Sequence, residues 1–173
     1  MRRLIALGFL TVLTLPGCGG GGSSTPTSVP TPTPAPTQAV VVATVSPTPV
    51  LAVPISQRPT FCGETNGWDF VAAWTTTVRE TAGLGGNVNF INVTGKNALG
   101  FELFDAPINF DANYVIRKAG TNHINGGGQI TLSDMGMCYA LATGLRAVHI
   151  VQVVNFTDDR GHLMNVQTEF DIL

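Results

Sequence analysis

Charge is what this chain of 173 residues has least of: only 12% of its residues are Asp, Glu, Lys or Arg. Binding to nucleic acid depends on clustered Lys and Arg that neutralise phosphates, so such a composition excludes nucleic acid as a partner. Long apolar runs are missing too. The longest, Leu4 to Leu15, is about twelve residues, whereas a helix needs roughly 20 to cross a bilayer, so no permanent span is expected. After Pro59 no window keeps apolar residues at i, i+3, i+4 and i+7, which argues against an α-helical domain. The three histidines, His123, His149 and His162, fall in no HxH or HExxH spacing, and Gly126-Gly127-Gly128 lacks the Lys-Ser/Thr ending of a phosphate loop. No metal or cofactor is therefore expected. Asp158 and Asp159 are explained by turn chemistry, since no alternating Asp follows them as a calcium loop would require.

The N-terminus carries the most specific pattern. Met1-Arg2-Arg3 is a short positive region, the apolar stretch follows, and it ends in Leu15-Pro16-Gly17-Cys18. This resembles the lipobox of bacterial lipoproteins, with Leu at −3, a small residue at −1 and Cys at +1. The resemblance covers residues 1–18, and Pro16 departs from the more usual Ala, Ser or Thr at −2. It implies a signal peptide over residues 1–17, cleavage before Cys18, and a diacylglycerol on the Cys18 sulfur, usually with acylation of the new amino group. Two or three acyl chains, at ~0.8 kcal/mol per buried CH₂, anchor a protein stably to a membrane. Gly19 stands where the family uses Asp for inner-membrane retention, which implies the outer membrane in a Gram-negative envelope. Without Arg2 and Arg3, seven basic residues face eleven acidic ones, a net charge of −4.

From Gly19 to Gln57 there is no charged residue, and eight of the eleven prolines lie between Pro26 and Pro54. Proline fixes φ and removes a backbone donor, so residues 18–58 are expected to form a disordered Gly/Thr/Pro tether. Val40 to Val45 interrupts the pattern and reads as an apolar patch within that linker, with a short strand or a docking peptide as the alternatives.

Residues 59–173, which are 115 residues, suffice for one domain with its own core. Two-residue alternation recurs there, broken by Gly, Asn and Asp clusters. Strands are expected at Phe70–Val78, Val88–Thr94, Leu99–Leu103, Tyr114–Ile116 and Ile130–Leu132. The second carries a bulge where Val88/Phe90 switches to Ile91/Val93. Asp158-Asp159-Arg160-Gly161 suits a type I turn with a G1 bulge, which sets Phe156 opposite Met164, Val154 opposite Val166, Ile150 opposite Phe170 and Val148 opposite Ile172. About seven strands predict an all-β fold, a single β-sandwich. Its size and strand spacing are similar to immunoglobulin- and fibronectin-type modules.

Apart from Cys18 the chain holds two cysteines. In an exported protein Cys62 and Cys138 are expected to form a disulfide. The rival reading is a catalytic thiol activated by His149 or His123. For binding, Trp68, Trp74, Phe90 and Phe101 are candidates for a sugar-stacking platform, although a sandwich core also needs aromatics. Asn87, Asn89, Asn92, Asn97 and Thr94 form a polar stretch, His149 faces Asp171 in the last hairpin, and Glu80 and Glu102 are an acid–base pair only if the fold unites them. Trp68, Trp74, Asn89, Asn92 and His149 are the chosen binding candidates. The expected function is a non-enzymatic, lipid-anchored envelope module that binds another envelope protein or an extracellular glycan. The alternatives are a small hydrolase using His149 with Asp171 or Cys138, and a structural spacer or inhibitor docking through a strand edge.

Overall fold

A computed structural model describes residues 34–58, 62, 67–140 and 147–173. Among them nine strands and one α-helix follow in the order β1 (Val41–Ser46), β2 (Ala52–Pro54), β3 (Phe70–Glu80), β4 (Gly86–Asn97), β5 (Ile108–Asp111), α1 (Ala112–Ala119), β6 (His123–Ile124), β7 (Gln129–Tyr139), β8 (Val148–Asp158) and β9 (Leu163–Ile172). A 3-10 turn, Ile55–Gln57, follows β2. Two antiparallel sheets face each other, as an all-β sandwich requires. In the first, β1 and β2 lie end to end along one side of β3, with β7 on its other side. In the second, the order is β5–β4–β8–β9, and β6 extends the β5 side of β4.

Strict alternation builds the core. On β3 the inward residues are Ala72, Trp74, Thr76 and Val78, all at 2% exposure or less. On β8 they are Val148, Ile150, Gln152, Val154 and Phe156. The two middle rows carry polar atoms that meet across the sheets: Trp74 Nε1 (3.2 Å) and Thr76 Oγ1 (3.0 Å) both donate to Gln152 Oε1, while Gln152 Nε2 is buried without a hydrogen-bond partner.

The last hairpin has the register that its turn dictates. Phe156 pairs with Met164, Val154 with Val166, Ile150 with Phe170 and Val148 with Ile172, while Gly161 takes φ +88°. The bulge in β4 falls between Val88 and Phe90.

Three expectations need correction. The tether does not run to residue 58. Val41–Ser46 pairs in register with Thr75–Glu80, and the compact unit begins at Ala35. An apolar run flanked by prolines is sufficient for an edge strand, because an edge leaves one row of backbone groups unpaired. Leu99–Leu103 is a loop, not a strand. The Asn97 side chain accepts the N–H groups of Leu99 and Phe101, Gly100 takes φ +85°, and both apolar side chains are about 65% exposed. Tyr114–Ile116 lies in α1, because Asp111 Oδ1 caps the Tyr114 N–H at 2.7 Å and Gly120 closes the helix with φ +79°. The expected seven strands thus become nine, since four short edge strands (β1, β2, β5, β6) replace the two that were misplaced.

Cys62 and Cys138 form a disulfide, with Cα atoms 6.1 Å apart. Cys138 sits opposite Val71 on the outward side of β7, so the bridge ties the segment before β3 to its own sheet and does not cross the core. Closing 76 residues of sequence is worth up to about 4.5 kcal/mol on a chain-entropy basis. Replacing both cysteines by Ser is expected to lower the unfolding free energy by about 2–4 kcal/mol. Urea denaturation of the two forms measures it, and an unchanged midpoint contradicts it.

Candidate functional site

The outward face of the second sheet is built by the parity opposite to that of the core. Across β4, β8 and β9 its rows read Lys96–His149–Asp171, Thr94–Val151–Glu169, Asn92–Val153–Gln167 and Phe90–Asn155–Asn165. Three of the binding candidates, Asn89, Asn92 and His149, therefore share one face. The β4 bulge turns Asn89 outward beside Phe90, and its Nδ2 donates to Asn155 Oδ1 and Thr157 Oγ1, both at 2.8 Å. Asn155 passes the chain on to Asn165 Oδ1 at 2.8 Å, and Asn109 of β5 donates to Asn92 Oδ1 at 2.8 Å. The result is a ladder of amides beside the half-buried Val151 and Val153.

His149 stands at one end of this face and is exposed. Its Nδ1 lies 2.9 Å from Asp171 Oδ1 and its Nε2 lies 3.4 Å from Glu169 Oε2. With both ring nitrogens turned to carboxylates, neither is aimed at a nucleophile as a general base must be. Cys138 is spent in the disulfide and has no thiolate to offer.

The other candidates lie apart. Trp74 is a core residue at 2% exposure and packs on Phe170 with ring centroids 5.2 Å apart. Trp68, 40% exposed, borders a cleft of about 340 Å³ together with the disulfide, Phe104, Ile108 and Met137. No shared stacking platform forms from Trp68, Trp74, Phe90 and Phe101. Glu102 is exposed and pairs with Lys96 at 3.2 Å, far in role from Glu80, which is buried. Among the described residues no cluster of three or more His, Cys, Asp or Glu is arranged to hold a metal ion.

Two buried carboxylates form a second constellation, at the end of the sandwich where the chain joins it. The Glu80 carboxylate accepts backbone N–H groups from Val40 (3.2 Å), Ala82 (2.7 Å), Gly83 (2.9 Å) and Gly127 (2.7 Å). Asp158 accepts those of Ala39 (3.2 Å), Arg160 (3.0 Å) and His162 (2.8 Å), and the ring of His162 at 3.0 Å. An ionised Asp158 requires the proton of His162 on Nδ1. The glycine run at 126–128 is docked: Gly127 binds Glu80, and a side chain at Gly126 would collide with the Gly83 carbonyl. Asp159 pairs with His123 at 3.1 Å, so neither turn aspartate is arranged for a cation.

Charge-assisted bonds to ionised groups outweigh the cost of burying them. Burial alone would raise the Glu80 pKa, but the N–H groups of Gly127, Ala82, Val40 and Gly83 together bring it below 4.5. Burial acts in the same sense on Asp158, and the donors from His162, Ala39 and Arg160 bring it down to about 2. The signal for both was the alternation itself: continued past Val78 and Phe156, it turns Glu80 and Asp158 inward.

No protein-family model matches the chain, and no curated protein matches it. Two solved structures are similar in fold. One is the Northeast Structural Genomics Consortium target SoR45, with TM-score 0.53 and 9% identity, covering 76% of this chain and 84% of that one. The other is a putative ApaA protein from Bordetella pertussis, with TM-score 0.53 and 10% identity, covering 77% and 92%. At such identities the likeness is one of fold alone.

Both carboxylates have folded pKa values depressed below their unfolded ones, so their stabilisation is complete above about pH 4.5 and is lost as pH falls toward 2. Urea midpoints are expected to decline over that window, with a shallower decline in Glu80→Gln. An acid slope that is the same in the variant contradicts the assignment.

Proposed function

We propose that this chain is a lipid-anchored cell-envelope protein, joined to the membrane at Cys18, whose sandwich binds a ligand and catalyses no reaction. The observation that carries the binding reading is the open outer face of the second sheet. Amide donors and acceptors stand there beside a flat strip of Val151 and Val153, a mixture suited to the hydroxyls and C–H faces of an extracellular glycan or to the backbone of an envelope protein. The anchor reading is supported by the lipobox alone. An immunoglobulin- or fibronectin-like arrangement is part of the proposal. It is supported by the pairing of β1/β2–β3–β7 against β5–β4–β8–β9, with the chain passing repeatedly between the sheets.

Metabolic labelling with a palmitate analogue is expected to mark the protein and to spare Cys18→Ala. Equal labelling of both removes the anchor. For binding, the double variant Asn92→Ala with His149→Ala is expected to lose about tenfold in retention on an envelope fraction, the worth of one or two hydrogen bonds. Circular dichroism serves as the control for folding. Unchanged retention in a folded double variant moves the ligand site off this face.

A further inference from the structure

We propose that the place where the tether meets the sandwich is a mechanical clamp that resists a pull on the tether. This rests on the reading that the chain is anchored through Cys18 and that its ligand sits on the second sheet. A pull on the ligand then reaches the tether through the bonds that join the second sheet to the N-terminal strands and through the pairing of β1 with β3.

Those bonds are few and identifiable. Asp158 at the end of β8 holds the Ala39 N–H at 3.2 Å. Thr168 Oγ1 of β9 donates to the Ala43 carbonyl at 2.9 Å. Val50, between β1 and β2, runs parallel to Ile172 and bonds to β9 on both sides: Val50 N–H to the Asp171 carbonyl at 2.9 Å, and Leu173 N–H to the Val50 carbonyl at 2.9 Å. Ala52 N–H adds a bond to the Leu173 carbonyl at 2.8 Å. In the first sheet, Glu80 holds the Val40 N–H, and six residue pairs join β1 to β3.

For a pull between the tether and the C-terminal end of β9, the direction of load follows from the register. Thr157 opposite Leu163 and Val148 opposite Ile172 place Asp158, and with it Ala39, at one end of β9 and Leu173 at the other. Ten residues of strand separate those ends by roughly 30 Å. Inter-strand hydrogen bonds stand across the strands, so force along this axis shears them and they must give way together. Force applied from one end alone peels β1 away one bond at a time. The two carboxylates sit at the first bonds a peeling front would meet, and charge-assisted bonds are the stronger kind.

Single-molecule pulling on the unlipidated full chain tests this, with handles on the Cys18 thiol and the C-terminus. The end-to-end geometry is expected to give one cooperative unfolding event. Handles at Cys18 and Arg160→Cys, both at the Asp158 end, are expected to give a lower force, with early release of residues 39–53 as roughly 50 Å of chain. Glu80→Gln and Asp158→Asn are expected to bring that early release into the end-to-end geometry. Equal forces in the two geometries overturn the proposal, as does early release in the unmodified chain pulled end to end. The comparison of geometries needs neither carboxylate variant to fold. Failure of Cys18 labelling in cells would remove the anchor while leaving these forces as measured, so the two failures are distinguishable.

Discussion

Two carboxylates buried without a cationic side chain of Lys or Arg hold the structure at the point where the chain becomes a domain. Moving a carboxylate out of water is costly, and the cost is tolerable only where donors replace the lost solvent. Here seven backbone N–H groups and one imidazole do so. The donors come from segments distant in sequence: the approach to β1, the β3–β4 turn, the β6–β7 turn and the β8–β9 turn. Each of those turns would otherwise leave backbone donors buried or loosely hydrated. One charge therefore sets the conformation of several loops at once, and the N-terminal strand is fixed at the same stroke.

The remainder of the sandwich follows from parity. Residues of one parity on β3 and β8 make the core, including the Trp74–Thr76–Gln152 node that ties the two sheets across it. Residues of the other parity on β4, β8 and β9 make the amide-bearing face. A shift of register by one residue would exchange the two sets, so the turn at Asp158–Gly161, which fixes the register of the last hairpin, also fixes which side chains the outer face presents. Asp158 serves in both capacities, as a turn residue and as the buried acceptor for Ala39.

The fold was legible wherever local chemistry and alternation agreed. The last hairpin could be read to the residue because only the three-residue loop at its turn sets apolar opposite apolar, and the β4 bulge showed as a change of phase. The short helix was not legible from periodicity: Tyr114-Val115-Ile116 looks like strand, and the Asp111 cap with Gly120 decides otherwise. Leu99 and Phe101 alternate like a strand although Asn97 folds them into a loop. The edge strand β1 was hidden among prolines. For the candidate site, Asn89, Asn92 and His149 converge because they share a sheet face, whereas Trp74 belongs to the core, as the alternation around it requires. The burial of Glu80 and Asp158 was not legible, because a charge at a strand end suggests solvent, and it becomes possible only with the donors brought in by the remote segments at Ala39–Val40 and Gly127.

The central claim is that these carboxylates make residues 39 and 40 part of the folded unit. Native-state hydrogen exchange of the Ala39, Val40, Gly83 and Gly127 amides tests it most directly. Protection comparable to that of the β3 and β8 core amides is predicted, because opening these bonds requires opening the sandwich. Exchange of Ala39 and Val40 at the rate of a free chain, with the core still protected, would contradict it.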